Sequence, residues 1–391
     1  MRRAGAGQNS KHEIRNSKQF SNDRNPKQAL PFGNFEHSNL EFVSDFEFFQ
    51  KWGEAVKKEY RIGIIPGDGI GRDVVRAARM VLGAVNEAAK EFTLNFRDMD
   101  TGETAVARYG HPFPRETFEG MKETDAVLFG AAGNPHTTAI LNGFRLGFNL
   151  YANVRPIKSL PGAGALQSSA DFIVVRENTE GLYRGVGYID GDTYVNLRVF
   201  TRKGMERIIR FCFELARKEN RPKVTFTHKA HVLTYTDEPM RRLFYELAKE
   251  YPDVEAEDMT IDACAMQVVM KPERFSVVFA ENANGDILSD VGAGVSGGMG
   301  FAYGGNVGDS FAVFEPIHGT APKYADKNVV NPIAAIRAAM MMLDYLGEKD
   351  MARRVERAIT EVLLEGKVRT YDLGGTSSTS EMGEAIAEKI M

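Results

Sequence analysis

From Tyr60 onwards, short apolar segments alternate with longer segments of helical periodicity. Short apolar runs between turn-forming residues favour buried strands, and they occur at 61–65, 125–130, 171–175, 223–227, 275–279 and 311–314. Apolar positions that recur every three or four residues predict helices, and they occur over 72–90, 203–219, 237–250, 332–346 and 350–365. Strands that alternate with helices predict an α/β fold with a largely parallel central sheet.

Two segments depart from this alternation. In the stretch 188–200, Gly191 lies between two arms rich in β-forming residues, which predicts a hairpin that projects from the body. The segment 292–300 is rich in glycine and predicts a loop or hinge at which the backbone approaches its neighbours closely.

Residues 1–57 have a different character from the rest of the chain. They mix Asn, Ser, Lys, Arg and Gln with scattered phenylalanines and contain no apolar stretch of the kind a secretory signal needs. Acidic residues such as Glu13 and Asp23 argue against a mitochondrial targeting helix. We interpret residues 1–57 as a disordered or spurious N-terminal extension. Translation from a non-Met codon near Val56 is a hypothesis that the intact mass of the natural protein would test.

Composition and charge narrow the class of protein. The 391 residues are 43% hydrophobic and 26% charged, which is ordinary for a globular protein of about two domains. The net charge of -4 argues against a nucleic-acid partner, and the apolar runs are too short to span a membrane. The two cysteines, Cys212 and Cys264, are too few for a disulfide scaffold, so we expect a soluble cytoplasmic protein.

A glycine-rich turn follows the first predicted strand. Gly67, Gly69 and Gly71 form G-x-G-x-G, whereas the dinucleotide-binding fingerprint is G-x-G-x-x-G. The sequence therefore predicts a tight strand-to-helix turn here and a fold that is not a Rossmann fold.

Three aspartates are candidate metal ligands. Asp286 and Asp290 are four residues apart, so on a helix they share one face. With Asp262 they would make the hard oxygen site that Mg²⁺ or Mn²⁺ prefers. A solvated helix face is the alternative interpretation of the pair.

Seven motifs occur in one order from about residue 60 to the C-terminus. They are I-P-G-D-G-I-G (65–71), L-Y-A-N-V-R-P (150–156), V-V-R-E-N-T-E-G-L-Y (174–183), T-H-K-A (227–230), D-A-C-A-M-Q (262–267), G-D-I-L-S-D (285–290) and H-G-T-A-P-K-Y-A (318–325). This series resembles the β-decarboxylating dehydrogenases, which include isocitrate, 3-isopropylmalate, homoisocitrate and tartrate dehydrogenases. Residues 1–57 have no counterpart in it. The resemblance implies a discontinuous cofactor-binding domain, 60–150 plus 297–391, and a substrate and dimerisation domain, 151–296.

The resemblance also implies a reaction and residues that carry it. The family oxidises a 2-hydroxy acid with NAD or NADP and then releases a carboxylate as CO₂, with a divalent cation held on the substrate. Lys229 matches its acid–base lysine and Tyr183 the tyrosine that returns a proton to the enol carbon. Asp262, Asp286 and Asp290 match the metal ligands. Without the family, Lys229 would be interpreted as a surface lysine and Tyr183 as a packing residue.

Three arginines match the family's substrate-binding set. Arg145, Arg155 and Arg176 present planar guanidinium groups, which bind carboxylates with two parallel hydrogen bonds. Surface ion pairs are the alternative interpretation, although such pairs contribute only ~0–1 kcal/mol each.

The resemblance places cofactor binding in one loop. Its members here are His318, Gly319, Thr320, Ala321, Lys323, Tyr324 and Asn331. Lys323 and Tyr324 stand where NADP-using isocitrate dehydrogenases carry the same pair, whereas NAD-using members commonly have Asp after the proline. Tyr371 also matches an NADP-side tyrosine, but Gly375 replaces the arginine expected four residues later. The loop therefore favours NADP over NAD.

The substrate-specificity segment departs from the isocitrate pattern. Ala139 and Leu141 stand where isocitrate enzymes usually have Ser and Asn, with Ile140 between them. Such an apolar wall suits an isopropyl group better than a carboxylate, yet Asn142 replaces a leucine expected for isopropylmalate. His231 and Asn284 also differ from the usual Asn and Phe. We expect 3-isopropylmalate or isocitrate as the substrate, with homoisocitrate, tartrate or malate as alternatives.

The resemblance further implies a homodimer in which Lys229 and Asp262 complete the neighbour's site. The 188–200 hairpin and the amphipathic helices over 203–219 and 237–250 are candidates for the contact between subunits, although helical apolar stripes are usually ordinary core. A non-catalytic regulatory subunit of a hetero-oligomeric isocitrate dehydrogenase is the alternative from another class of protein. Retention of Tyr183, Lys229 and the three aspartates argues against it.

Overall fold

The structure, a computed structural model, describes residues 57–391. The interpretation of residues 1–57 therefore lies outside the described residues except at Lys57. The strands are β1 (Glu59–Gly67), β2 (Thr93–Asp98), β3 (Ala126–Ala131), β4 (Ala152–Lys158), β5 (Asp171–Glu177), β6 (Gly187–Asp190), β7 (Thr193–Asn196), β8 (Lys223–His228), β9 (Glu255–Thr260), β10 (Val277–Ala280), β11 (Tyr303–Val307) and β12 (Ala312–Pro316). The helices are α1 (Gly71–Ala88), α2 (Gly102–Tyr109), α3 (Arg115–Lys122), α4 (Thr137–Arg145), α5 (Arg202–Lys218), α6 (Asp237–Ala248), α7 (Ile261–Met270), α8 (Asn282–Ser296), α9 (Ile333–Tyr345), α10 (Lys349–Glu365) and α11 (Thr379–Ile390).

Ten strands form one mixed sheet in the order β2-β1-β3-β12-β11-β4-β5-β10-β8-β9. Two parallel groups, β2-β1-β3-β12 and β5-β10-β8-β9, flank antiparallel pairings of β12 with β11, β11 with β4 and β4 with β5. The prediction of an α/β fold with a largely parallel sheet is confirmed. Strands from 60–150 and 297–391 occupy the first five positions in this order, and strands from 151–296 occupy the last five.

The core lies where helices cover the two faces of the sheet. All residues of β3 are buried, as expected for a parallel strand with both faces covered. The predicted helices over 203–219 and 237–250 exist as α5 and α6. Their apolar faces pack inside this chain, where the rings of Phe213 and Phe244 stack with centroids 5.3 Å apart. These apolar faces are therefore part of this chain's own core, and a role for the two helices in a subunit contact stays a prediction.

The glycine-rich segment 292–300 is mostly helical, contrary to the prediction of a loop. Helix α8 continues to Ser296, and the chain leaves it at Gly297 and Gly298, which both have positive φ. A Cβ at Gly292 would lie 2.9 Å from the side chain of Ile157. The glycine thus allows α8 to pack closely on β4, which is a tertiary contact that local sequence does not reveal.

The other two local predictions are confirmed. Strands β6 and β7 pair as an antiparallel hairpin, with Gly191 at its turn at φ 56°. Gly67 and Gly69 have φ values of 68° and 57° and form a tight turn that leads into α1. Among residues 57–391, no helix is both long and apolar enough to cross a membrane.

Candidate active site

Four parallel strands end at one edge of the sheet, and the predicted catalytic and metal residues follow these ends. In β5, Arg176 lies opposite Ala280 of β10, which in turn lies opposite Thr227 of β8. Ligands commonly bind outside the carboxyl ends of such strands. The residues that follow them are Tyr183 after β5, Lys229 after β8, Asp262 after β9, and Asp286 and Asp290 after β10.

Five of the predicted residues form one charged cluster. The Arg155 Nη1 atom lies 3.2 Å from Asp286 Oδ1 and 3.7 Å from Asp290 Oδ1. Arg176 Nη1 donates to the same Asp286 oxygen, and Tyr183 Oη donates to Asp286 Oδ2 at 2.8 Å. Because both aspartates reach one guanidinium, the i,i+4 pair on α8 does share a face, as predicted.

Residues that the sequence did not single out hold the two arginines. Arg176 donates from Nε and Nη2 to Asn282 Oδ1 at 3.0 and 2.7 Å. Arg155 donates to Asn153 Oδ1 at 2.9 Å and to Ser289 Oγ at 2.6 Å. Both arginines are buried, so these bonds satisfy and orient guanidiniums that water does not reach. Ser289 lies inside the G-D-I-L-S-D motif, one turn from Asp286, and this was the available signal.

A buried amide network connects Arg155 to Arg145. Asn306 Oδ1 accepts from Asn153 Nδ2 at 2.7 Å, and Asn306 Nδ2 donates to Glu315 Oε1 at 2.7 Å. Glu315 Oε1 in turn lies 4.0 Å from Arg145 Nη2. The network spans the antiparallel strands β4, β11 and β12 and links Arg155 by hydrogen bonds to Glu315, the ion-pair partner of Arg145.

The cluster is electrostatically suited to anions. Burial and, after it, the nearby charge of Arg176 together lower the pKa of Arg145 to about 10. Burial and Arg176 lower the pKa of Arg155 in the same way. The Arg145 Nε atom is buried and has no hydrogen-bond partner within the described chain. Closely packed cations with unsatisfied donors favour a ligand that carries several carboxylates.

The two aspartates of α8 differ in their surroundings. Burial acts to raise the pKa of Asp286, but the charges of Arg176 and Arg155 outweigh it and lower that pKa. Burial raises the pKa of Asp290, which Arg155 only partly offsets. Asp286 is therefore ionised. Asp290 loses its proton readily once a bound cation offsets the effect of burial.

Lys229 and Asp262 form a separate pair. Lys229 Nζ lies 2.5 Å from Asp262 Oδ1, and the Asp262 side chain is 65% exposed. This hydrogen bond lowers the pKa of the Asp262 carboxyl. In the part of the chain that the structure describes, no three Asp, Glu, His or Cys side chains are close enough to hold a metal ion. Asp262 therefore does not join Asp286 and Asp290 within one chain. The carboxylate types fit Mg²⁺ or Mn²⁺, but a single chain does not complete the site.

The glycine-rich turn packs against the predicted cofactor loop. The Ile70 N–H donates to Thr320 O at 2.9 Å, and a Cβ at Gly69 would lie 2.2 Å from that oxygen. Ala321 adopts a left-handed conformation at φ 35°. His318 Nε2 is buried without a partner in the described residues, and burial lowers the pKa of this imidazole. An unsatisfied buried nitrogen in a loop of this kind fits a ligand contact.

The basic and aromatic residues of the loop lie together. Lys323 Nζ is 5.3 Å from the centroid of the Tyr324 ring, which stacks on Tyr371 at 5.8 Å. The two phenol oxygens are 3.4 Å apart. Asn331 instead turns inward and donates to Asp372 Oδ2 at 3.0 Å. The exposed ammonium and hydroxyls suit a phosphate.

The predicted apolar wall is wrong at one of its positions. Ile140 is fully buried and belongs to a core cluster with Phe144 and Ile65. Ala139 is exposed and Leu141 is partly buried against the same cluster. On a helix, consecutive residues point in different directions, so Ile140 faces the core when its neighbours do not.

Comparisons with known proteins agree with this fold. The family model described as "Isocitrate/isopropylmalate dehydrogenase" matches residues 61–386. A Methanocaldococcus jannaschii protein named "3-isopropylmalate/3-methylmalate dehydrogenase" is 44% identical over 85% of this chain and 99% of its own. A Thermus thermophilus "Isocitrate/homoisocitrate dehydrogenase" is 44% identical over 85% of this chain and 98% of its own. The crystal structure of isocitrate dehydrogenase from Methylococcus capsulatus superposes with a TM-score of 0.80 at 42% identity, over 85% of this chain and 99% of that chain.

Proposed function

We propose that this chain, which belongs to the isocitrate/isopropylmalate dehydrogenase family and is a dehydrogenase that acts on a hydroxy acid, catalyses metal-dependent oxidative decarboxylation of a malate-type 2-hydroxy acid with NADP or NAD. The substrate we propose is 3-isopropylmalate or isocitrate. The observation that carries the proposal is the contact of Arg155, Arg176 and Tyr183 with the single carboxylate of Asp286. It joins two buried cations, a half-exposed phenol and a hard oxygen ligand in one place.

Substrate recognition would fall to Arg145, Arg155 and Arg176. The charge of Arg176 contributes to the lowered pKa values of both Arg145 and Arg155, so an anionic ligand relieves the repulsion among the three guanidiniums. Asn282, Asn153 and Ser289 hold Arg155 and Arg176 from behind. These contacts pre-orient the guanidiniums and reduce the entropy lost when carboxylates bind.

Asp286 and Asp290 would hold a divalent cation together with Asp262 of a second copy. When bound, the cation supplies positive charge that stabilises a developing negative charge on substrate oxygens. The described residues provide only two of these carboxylates in one place. The third ligand is therefore the part of the proposal that depends on dimerisation.

Tyr183 and Lys229 would carry the protons. Burial raises the pKa of Tyr183 and Asp286 reinforces it, while Arg176 opposes the shift. The phenol therefore keeps its proton at neutral pH, as a group must if it is to protonate an enol carbon. Lys229 would take the hydroxyl proton as the nicotinamide accepts a hydride, and it would do so in the site of the partner.

A second copy of the chain is the proposed partner. Exposed apolar side chains occur on the hairpin at Tyr188, Ile189 and Tyr194, the last being 77% exposed. Others lie on α7 at Met270 and on α8 at Ile287, close in sequence to Asp262 and Asp286. Apolar surface of this kind marks an interaction site, and a twofold dimer would place each Asp262 beside the other copy's α8.

NADP is the proposed cofactor because Lys323 is exposed beside two tyrosines. The 2′-phosphate would accept hydrogen bonds from the ammonium and the phenols, whereas NAD lacks that group. Gly375 leaves this site without the additional arginine that the family resemblance predicted.

The test is a panel of isocitrate, 3-isopropylmalate, homoisocitrate, tartrate and malate, each assayed with NADP and NAD and with added Mg²⁺. We expect reduction of NADP with one of the first three acids by the purified chain alone, and loss of this activity after exhaustive chelation. The Asp286→Asn variant should lose the same activity even with excess Mg²⁺. Full activity in chelator would contradict the proposal, as would no reduction of either cofactor with all five acids.

A further inference from the structure

We propose that His228 is a positioning residue for Lys229, and that Asp258 holds its imidazole in one orientation and one tautomer. This inference rests on the proposed role of Lys229 in proton transfer. His228 is the last residue of β8, and Asp258 lies in the neighbouring strand β9 at the edge of the sheet.

The hydrogen bonds of His228 fix its tautomer. The Ala230 N–H donates to His228 Nδ1 at 3.0 Å, so Nδ1 is an acceptor and carries no proton. The single proton of the neutral ring is therefore on Nε2, which donates to Asp258 Oδ2 at 2.8 Å. The ring is buried, with 5% of its surface exposed. Both nitrogens thus have one partner each, and a flipped ring would lose both bonds.

Asp258 is a permanent anion at this position. Burial acts to raise its pKa, but hydrogen bonds from Arg241 and Tyr245 lower the pKa of Asp258 to about 2. Arg241 Nε donates to Asp258 Oδ2 at 3.0 Å, and Tyr245 Oη donates to Oδ1 at 2.5 Å. Both donors come from α6, so a helix and a strand together fix the carboxylate that holds His228.

The chain on both sides of Lys229 is consequently held. His228 binds the N–H of Ala230, and the N–H of Lys229 itself donates to the buried Asp237 at 2.8 Å. With the backbone anchored, the direction in which the Lys229 side chain leaves β8 is determined. A displacement of about 1 Å in a catalytic group lowers the rate on the order of 10²-fold, so loosening this turn should reduce turnover.

A purely structural role is the competing explanation. The His228 ring packs beside Phe226 with centroids 5.2 Å apart, and such packing could stabilise β8 without affecting Lys229. A structural role predicts lower thermal stability in every His228 variant. The positioning role predicts that a side chain which still accepts the Ala230 N–H keeps turnover.

The experiment compares His228→Asn with His228→Gln. An Asn side chain readily accepts from the N–H two residues later, so it retains the bond to Ala230, whereas Gln is one carbon too long. We expect kcat of His228→Gln to fall on the order of 10²-fold with KM changed by less than about threefold. His228→Asn should keep kcat within about fivefold of wild type. A wild-type kcat in His228→Gln, or an equal loss in both variants, would overturn the proposal.

A second pair of variants covers the case in which His228→Gln does not fold. Asp258→Ala removes the acceptor for His228 Nε2–H, and Asp258→Asn retains an oxygen there. We expect kcat to fall about tenfold in Asp258→Ala and to recover to within about threefold of wild type in Asp258→Asn. If Asp258→Ala has the kcat of wild type, the orientation of His228 does not depend on Asp258 and the proposal fails.

Lys229→Ala is assayed in parallel so that the two proposals are tested separately. Wild-type turnover in Lys229→Ala would refute the proposed proton-transfer role itself. Loss of turnover in Lys229→Ala, combined with no effect in either His228 variant, would refute only the positioning of Lys229 by His228.

Discussion

The arginine–aspartate cluster and the cofactor loop are built in opposite ways. Arg155 and Arg176 are buried in strands, and both bond to side chains of α8. The loop from His318 to Asn331 contains only a short 3₁₀ turn and three non-glycine residues at positive φ, namely Ala321, Asp326 and Asn328. The proposed substrate-binding group is thus part of the core, whereas the proposed cofactor-selecting group lies on an exposed loop.

Because of this difference, substitutions in the two regions should differ in their effect on the stability of the fold. A substitution at Arg155 leaves Asp290 without its buried cation and leaves Asp286 with Arg176 alone, so it disturbs the proposed substrate site and the stability of the fold together. A substitution at Lys323 removes a contact with the face of Tyr324 and no buried charge. A substitution at Lys323 should therefore change cofactor preference without loss of the fold. A substitution at Arg155 should not change substrate binding without also lowering the stability of the fold.

The largest expected effect is that of Arg155→Ala. Truncating one partner of a buried charge pair costs about 2–5 kcal/mol, so we expect kcat/KM to fall on the order of 10³-fold, with KM and kcat both affected. Steady-state kinetics and thermal denaturation measure the two consequences. Arg155→Lys is the matched control, because it keeps the charge but not the two-pronged geometry, and it should recover stability more than activity. Wild-type kinetics in Arg155→Ala would place substrate binding elsewhere.

Tyr183→Phe should have the next largest effect and should separate chemistry from binding within the same cluster. It removes the proposed proton donor and the hydrogen bond to Asp286. Loss of a positioned acid lowers turnover about 10²-fold or more, with little change in KM. Tyr109→Phe, at a half-exposed tyrosine on α2, is the control for the loss of a hydroxyl alone. An equal rise in KM with unchanged kcat would show that Tyr183 only binds substrate.

Lys323→Asp tests the cofactor loop, and its effect on kcat/KM should be smaller than the effects of Arg155→Ala and Tyr183→Phe. An aspartate repels a 2′-phosphate, but screening by salt limits this at an exposed position. We expect the NADP/NAD selectivity ratio of kcat/KM to fall at least about tenfold, with the melting temperature unchanged. Lys367→Asp makes the same charge change at an exposed lysine, 80% accessible, near the C-terminal end of α10. An unchanged ratio in Lys323→Asp would refute the cofactor assignment.

Arg72→Gln should have the smallest effect and tests whether the loop depends on surface ion pairs. Arg72 donates from Nε and Nη2 to both oxygens of Asp326 at 3.0 and 2.7 Å, and this pair is partly exposed. Such pairs contribute about 0–1 kcal/mol, so the free energy of unfolding should change by no more than this. Arg353→Gln removes another exposed pair, with Asp350, and is the control. A much larger loss in Arg72→Gln would show that the loop is held chiefly through Asp326.

The sequence by itself determined the local elements and the types of residue in the site. Apolar runs and helical repeats predicted six of the twelve strands and five of the eleven helices that residues 57–391 form, because burial of one face imposes a period on the chain. The i,i+4 spacing placed Asp286 and Asp290 on one face, and the glycine spacing predicted a turn at Gly67 and Gly69. Each of these features depends on residues that are near one another in the chain.

Only the tertiary structure decided which residues hold the site. Asn306 links Arg155 to Arg145 because β11 lies between β4 and β12 in the sheet, and local sequence does not encode that strand order. Gly292 lies within α8, where a Cβ would come within 2.9 Å of Ile157 of β4. Ile140 faces the core because of the direction in which α4 packs. These outcomes depend on contacts between distant segments, and no local period of apolar residues specifies them.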